Sequence, residues 1–193
     1  FVHVKGTGTE NTILSLRFNP PLDEDEPTTV GIRFAAGDNH GRISDLSLQG
    51  DSVLPSGIGL SYSGSQFNLA THIQVWDFLV GVDMSDGVSI FSAYNELSNF
   101  LVSRCPSGIR CHRHGNCNWI ERGRVFWAFA PPDELGEDGT GVGIDIGAAQ
   151  ALVIRSVAVE SSNTCFRFRP TEQADPETPI AFATCEVSGC YFE

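Results

Sequence analysis

The chain has 193 residues, of which 41% are apolar and 19% are charged, so it is long enough and apolar enough to fold around one core. Its formal net charge of −12 is unfavourable for binding the phosphate backbone of nucleic acids or an anionic membrane surface. No apolar run reaches the roughly 18 residues that a membrane span requires. We therefore expect a folded protein that neither binds nucleic acid nor inserts into a membrane.

The first predicted element is the opening segment VHVKGTGTENTILSL, in which Val2 and Val4 already alternate as in a strand. Two acidic, proline-flanked segments, 19–29 and 130–141, are expected to be loop insertions at the surface. The sequence begins without a Met, a basic stretch or a signal-like segment. We therefore expect that a leader was removed or that the chain belongs to a longer polypeptide.

From residue 31 onward a tetrapeptide recurs, in which a glycine and an apolar residue are followed by a variable residue and a second apolar residue. A second pattern lies between its copies and consists of an apolar residue followed at +3 and +5 by two more. This spacing fits neither a plain strand nor a helix, and it predicts two short strands joined by a one-residue bend. Asp45, Asn99 and Ser156 fall near the predicted bends. The tetrapeptides begin at Gly31, Gly57, Gly81, Gly108 and Gly143, with a degenerate copy at Cys165, and the second pattern begins at Ile43, Ile73, Leu97 and Ile154. A fourth copy of the second pattern, expected at Ile120, Val125 and Trp127, has two extra residues.

Two or three short strands in each repeat predict an all-β parallel β-helix in which equivalent positions stack. The fourth tetrapeptide position is apolar or a thiol throughout and is expected to point inward. The third position is expected to point outward, and from Asp83 onward its charges alternate, which favours a structural ladder of opposite charges over catalysis. The inward column is Phe34, Leu60, Met84, Cys111, Ile146 and Phe168, and the outward one is Arg33, Gly59, Asp83, Arg110, Asp145 and Arg167.

The repeated frame and the opening segment resemble the pectate lyase-like right-handed parallel β-helix superfamily, and most closely its phage tail-spike and virion proteins. The resemblance covers Val2 to about Phe168 and implies a single-stranded β-helix of six to seven coils. Residues 1–168 would form the coils, and residues 169–193 would add a further coil or a cap within the same domain. The resemblance also implies an extracellular or virion location, a homotrimer, and a structural role or the binding of a receptor or surface glycan. The alternative is a polysaccharide lyase or glycoside hydrolase acting on an extracellular polysaccharide, because both activities occur on this fold.

No complete catalytic motif of that superfamily is present, which leaves enzymatic activity open. The weak catalytic candidates are Asp77, Asp86, Glu121 and the neighbouring Arg122, for which a solvated surface role is the alternative. The binding candidates are His112 and His114, which lie in a predicted turn, and Phe126, which strand parity places outward between inward Val125 and Trp127. No cofactor is expected.

The six cysteines include three with the spacing C-x5-C-x5-C, which lacks the C-x2-C knuckle of zinc sites, so no metal is expected. Cys111 is predicted to be a buried free thiol. Cys185 with Cys190 is the first choice for a disulfide, and Cys105 with Cys117 is the second. Since a β-helix cut across its axis exposes strand edges, we expect the N-terminal end to be covered by an upstream segment or another subunit.

Overall fold

The computed structural model describes residues 3–16, 30–34, 39–53, 55–85, 92–112, 115–129, 141–147, 149–168 and 185–193. Within these ranges the chain is all-β, and none of it forms a helix that is long and apolar enough to cross a bilayer. Asp86, His114, segment 19–29 and most of segment 130–141 lie outside the described residues.

The strands alternate between two parallel sheets, and each passage of the chain through both sheets is called a layer below. In chain order the strands are β1 (His3–Lys5), β2 (Ile13–Ser15), β3 (Val30–Arg33), β4 (Arg42–Gln49), β5 (Ile58–Ser61), β6 (Leu69–Trp76), β7 (Val80–Asp83), β8 (Glu96–Ser103), β9 (Ser107–Cys111), β10 (Gly115–Asn116), β11 (Trp119–Phe126), β12 (Val142–Ile146), β13 (Ala149–Gln150), β14 (Leu152–Glu160), β15 (Thr164–Phe168), β16 (Cys185–Ser188) and β17 (Tyr191–Phe192). The larger sheet has nine strands in the order β1-β4-β6-β8-β11-β14-β16, with β2 also beside β4 and β17 also beside β14. The smaller sheet has the order β3-β5-β7-β9-β12-β15, and β10 with β13 forms a short third ladder.

This topology confirms the predicted all-β architecture of parallel strands in stacked sheets and is compatible with a parallel β-helix. The core lies between the sheets, where it contains residues such as Leu48, Val75 and Ile154 that have no exposed surface.

Single residues with positive φ turn the chain at three corners of a layer, and equivalent corner residues stack into columns. Successive corners are five residues apart, as at Tyr94, Asn99 and Arg104. The prediction of one-residue bends is therefore confirmed, and Asp45, Asn99 and Ser156 occupy them with φ of 59°, 50° and 53°. The first column is His40, Phe67, Tyr94, Cys117 and Ala151; the second is Asp45, His72, Asn99, Arg122 and Ser156; the third is Asp77, Arg104, Trp127 and Ser161.

The tetrapeptide glycines lie where neighbouring layers approach closely. A Cβ added at Gly59 would lie 2.8 Å from the carbonyl oxygen of Gly81, and one at Gly81 would lie 2.7 Å from that of Gly108. Any side chain there would push the strands apart, and this explains why the glycine recurs.

The second tetrapeptide begins at Gly59, so the predicted start at Gly57 was wrong by two residues. Leu60 pairs with Ile32 and Val82, and Tyr62 takes the predicted place of Leu60 beside Met84. Its ring lies 4.9 Å from that of Phe34. The corrected column is buried except at its end, where Phe168 on β15 is 43% exposed.

The second pattern also needs two corrections. In β6 it consists of Ala70, Ile73 and Val75 rather than Ile73, Trp76 and Phe78. In β11 there are no extra residues, because Gly123 pairs directly with Phe100. A Cβ at Gly123 would lie 2.2 Å from the Phe100 ring, so this ring occupies the space of the missing side chain.

A buried asparagine ladder beside the first corner column was not predicted. Asn68 Oδ1 accepts from the Gly41 amide at 2.7 Å, Asn95 Oδ1 from the Asn68 amide at 3.0 Å, and Asn118 Oδ1 from the Asn95 amide at 3.0 Å. These bonds satisfy backbone donors at the corners of successive layers. The recurrence of Asn directly after three successive residues of that column, Phe67, Tyr94 and Cys117, was a sequence signal for it.

Candidate functional site

An open groove of about 690 Å³ runs along the third corner column. Its lining comes from successive layers, which lie about 4.8 Å apart in a parallel stack, so the groove follows the stacking direction for a little under 20 Å. The lining residues are Ser52, Pro55, Asp77, Arg104, Pro106, Trp127, Phe129, Ser161 and Ser162.

Two aromatic side chains are the most exposed apolar groups of this groove: Trp127 is 49% exposed and Phe129 is 62% exposed. The prediction that Trp127 points inward was wrong. Trp127 is a corner residue with φ of 59°, so the strict alternation of the strand ends there. Val125 and Ala128 are buried on either side, whereas Trp127 lies at the surface.

Phe126 lies behind Trp127 and fixes its orientation. The two rings stack with centroids 4.5 Å apart and an interplanar angle of 23°. The Arg124 guanidinium lies 4.8 Å from the Phe126 ring centroid and forms an ion pair with Glu160. The predicted binding residue Phe126 therefore supports the indole and is only partly exposed. In this stack the guanidinium contacts the Phe126 ring and the Phe126 ring contacts the indole, so the indole is held in one orientation.

Asp77 and Arg104, the two charged residues among the described lining residues, bind each other. Arg104 Nε donates to Asp77 Oδ1 at 2.7 Å, and Nη2 donates to Oδ2 at 2.8 Å. The Asp77 side chain is 3% exposed and that of Arg104 is 48% exposed. Hydrogen bonding to Asp77 raises the pKa of Arg104. Because both carboxylate oxygens accept from a guanidinium, Asp77 is poorly placed to act as a general acid or nucleophile.

The other predicted catalytic residues lie away from the groove. Glu121, on β11, binds Arg122 at the second corner, with Oε1 and Nη2 2.5 Å apart. Arg122 Nη2 also lies 3.8 Å from Glu96 Oε1. The structure therefore brings Glu121 and Arg122 together, but not with Asp77.

His112 is buried beside β12 rather than exposed in a turn. Its Nε2 lies 2.7 Å from Asp145 Oδ2, and its amide donates to Ser85 Oγ at 2.9 Å. These contacts tie His112 to the smaller sheet, so it is not accessible for a sugar or another ligand.

The predicted charge ladder is confirmed in its register, because Asp83, Arg110, Asp145 and Arg167 lie side by side. Arg110 Nη2 donates to Asp83 Oδ2 at 2.7 Å, and Arg167 holds both oxygens of Asp145 at 3.0 and 2.8 Å. The expectation that the carboxylates are exposed was wrong, since the Asp83 side chain is 7% exposed and that of Asp145 has no exposed surface.

The pKa of Asp83 is lowered despite this burial. Desolvation by itself would raise the pKa of Asp83, but the charge and hydrogen bond of Arg110, together with hydrogen bonds from Ser85, lower it below 3.8.

All six cysteines are free thiols, so neither predicted disulfide is present. Cys111 is buried as predicted, and its Sγ lies 3.8 Å from the Met84 carbonyl oxygen. Cys190 Sγ lies 3.7 Å from the carbonyl oxygen of Ile154 on the neighbouring strand. In the described part of the chain no three His, Cys, Asp or Glu side chains are grouped so that they could hold a metal ion.

No protein-family model matches the sequence, and no curated protein and no solved structure is significantly similar to it. Functional assignment therefore depends on the geometry of the groove.

Proposed function

We propose that the protein is a right-handed parallel β-helix of six to seven coils that binds a glycan in the groove of the third corner column. The supporting observation is the exposed Trp127 indole, which is fixed by Phe126 and lies beside a charged pair and serine hydroxyls. Sugar rings have apolar faces and polar edges, so a rigid aromatic platform bordered by hydroxyl groups suits them. In the proposed role the protein is an extracellular or virion module that attaches to a surface glycan.

The alternative, cleavage of a polysaccharide, receives less support. Among the described residues, Asp77 is the one acidic side chain that lines the groove, and Arg104 binds both of its oxygens. A glycosidase needs two carboxyl groups on either side of the bond that is cleaved.

Binding to a glycan array, with isothermal titration of the hits, tests the proposal. Trp127→Ala should weaken binding about 10-fold or more, which corresponds to about 1.4 kcal/mol, a typical loss when a central aromatic contact is removed. Trp119→Ala is the matched control, since Trp119 is at the start of β11, the strand that ends directly before Trp127, and is 37% exposed but is not among the groove-lining residues. Equal binding by wild type and Trp127→Ala would contradict the proposal. If the wild type released new reducing ends or unsaturated sugars from a polysaccharide and Asp77→Asn did not, cleavage of the polysaccharide would be the better interpretation.

Association into a homotrimer is a further part of the proposal. It is supported by an exposed aromatic strip at the first corner column, where the Phe67 ring lies 5.2 Å from that of His40 and 4.8 Å from that of Tyr94. Phe67 and Tyr94 are 44% and 43% exposed. An apolar strip of this kind is typical of protein interfaces. Sedimentation at micromolar concentration should show a trimer in the wild type and dissociation in Phe67→Ser; a stable wild-type monomer would contradict it.

A further inference from the structure

The charge of the groove restricts which class of glycan it accepts, provided that the proposed function is right. Asp77 and Arg104 neutralise each other through two hydrogen bonds. The other lining residues are serine, proline, tryptophan and phenylalanine, none of which carries a charge. The lining residues that the structure describes therefore have no net charge to attract an ionic ligand.

The edge of the Arg104 guanidinium formed by Nε and Nη2 is not available to a ligand carboxylate, and at the remaining N–H donors the charge of Asp77 offsets the attraction. Nε and Nη2 already hold both oxygens of Asp77, whose side chain is only 3% exposed. A ligand carboxylate that took over this geometry would leave Asp77 buried and unpaired, which is strongly unfavourable. The whole chain adds to this effect, because its net charge of −12 repels a polyanion at low ionic strength.

Hydrogen bonding to neutral hydroxyl groups remains available. Arg104 is 48% exposed, and a guanidinium has five N–H donors, of which the Asp77 pair uses two. The hydroxyls of Ser161 and Ser162 can both donate and accept. We infer that the groove selects an uncharged oligosaccharide that lies along the stacking direction, with a sugar ring on Trp127, and that it excludes uronic-acid and sialic-acid polymers.

The experiment compares neutral oligosaccharides with the same oligosaccharides after oxidation of their primary hydroxyls to carboxylates, at 20 mM and 500 mM salt. The neutral form should bind at least 10-fold more tightly at both concentrations, since salt at these concentrations does not release Asp77, which offsets the charge of Arg104. Asp77→Asn should narrow this preference by strengthening binding of the carboxylated form. Glu121→Gln is the matched control, because it removes the same charge outside the groove and should leave the preference unchanged.

The outcomes separate this inference from the proposed function. If the carboxylated form bound more tightly and both Trp127→Ala and Arg104→Gln weakened that binding, the inference would be overturned, but the proposal of glycan binding would still hold. Absence of binding by every oligosaccharide, or binding that Trp127→Ala does not change, would overturn the proposed function itself. Circular dichroism of each variant checks the fold, and the wild-type comparison remains decisive if Asp77→Asn does not fold.

Discussion

Asp145 is a buried carboxylate at the centre of the charge ladder, and its replacement tests whether this ladder stabilises the fold. Arg167 holds both of its oxygens and His112 lies 2.7 Å from one of them. In Asp145→Asn the side chain keeps its size but loses its charge, so Arg167 loses the charge of the carboxylate that accepts two of its hydrogen bonds. The amide group also replaces one acceptor oxygen with a donor that faces other donors.

Removing one partner of a buried ion pair costs about 3–5 kcal/mol. The Arg167 side chain is 26% exposed and can recover part of its hydration, so the lower end of this range applies. We expect the free energy of unfolding to fall by about 3 kcal/mol. For a chain of this size the melting temperature should then fall by about 6–12 °C.

Urea denaturation followed by circular dichroism measures the change, and Glu186→Gln is its matched control. Arg155 holds Glu186 in the same two-bond geometry, at 2.9 and 2.8 Å, but both side chains are about half exposed. Solvent screening should leave Glu186→Gln close to wild type. If Asp145→Asn and Glu186→Gln lowered the free energy of unfolding equally, burial of the ladder would not contribute to the stability of the fold. If Asp145→Asn abolished an enzymatic activity with stability unchanged, Asp145 would be catalytic instead.

Three further predictions concern the core and the ladder. Because the pKa of Asp83 is lowered on folding, its ion pair contributes fully to the free energy of unfolding above pH 3.8, the unfolded value, and this contribution is lost as the pH falls towards the folded pKa. Below pH 4 the wild type should therefore lose more stability than Asp83→Asn. Parallel curves of stability against pH for the two proteins would contradict this. Burial raises the pKa of Cys105 and Cys111 to about 12, so a thiol reagent at pH 8 should modify these two cysteines only after the protein unfolds. Fast labelling of all six thiols in the native protein would refute this prediction. Gly123→Ala should lower the free energy of unfolding by about 1–3 kcal/mol, because its methyl group would overpack against the Phe100 ring. Adding Phe100→Leu to this variant should recover part of the lost stability. If the stability changes of the two substitutions were additive, the two residues would not be in contact.

Several features of the fold could be predicted because each depends on local chemistry. The recurring glycines mark a close approach that no side chain permits, and the polar residues Asp45 and Asn99 mark bends that they tolerate. The alternating signs of Asp83, Arg110 and Asp145 were also visible in the sequence, and pairing between neighbouring layers follows from them.

The candidate site was less predictable. Phe126 was named from strand parity, but Trp127, which forms the exposed platform, was assigned to the core. The five-residue spacing of Cys117, Arg122 and Trp127 was the signal that would have placed it at a corner. The pairing of Asp77 with Arg104 joins two layers and depends on the exact stacking of their corners.

By itself, the sequence determined the repeating unit: short parallel strands, one-residue corners, an inward apolar column and a ladder of opposite charges. Only the tertiary structure decided the register of the second layer. Its tetrapeptide could begin at Gly57 or at Gly59, and a shift of two residues leaves the same side chains of a strand facing inward, so the sequence pattern fits both registers. The tertiary structure also decided which side chains reach solvent at the corners, since a residue with positive φ interrupts the alternation of a strand. The pairing between strands of neighbouring layers determines both the register and the exposure of the corner residues. The groove in turn forms only when successive layers stack.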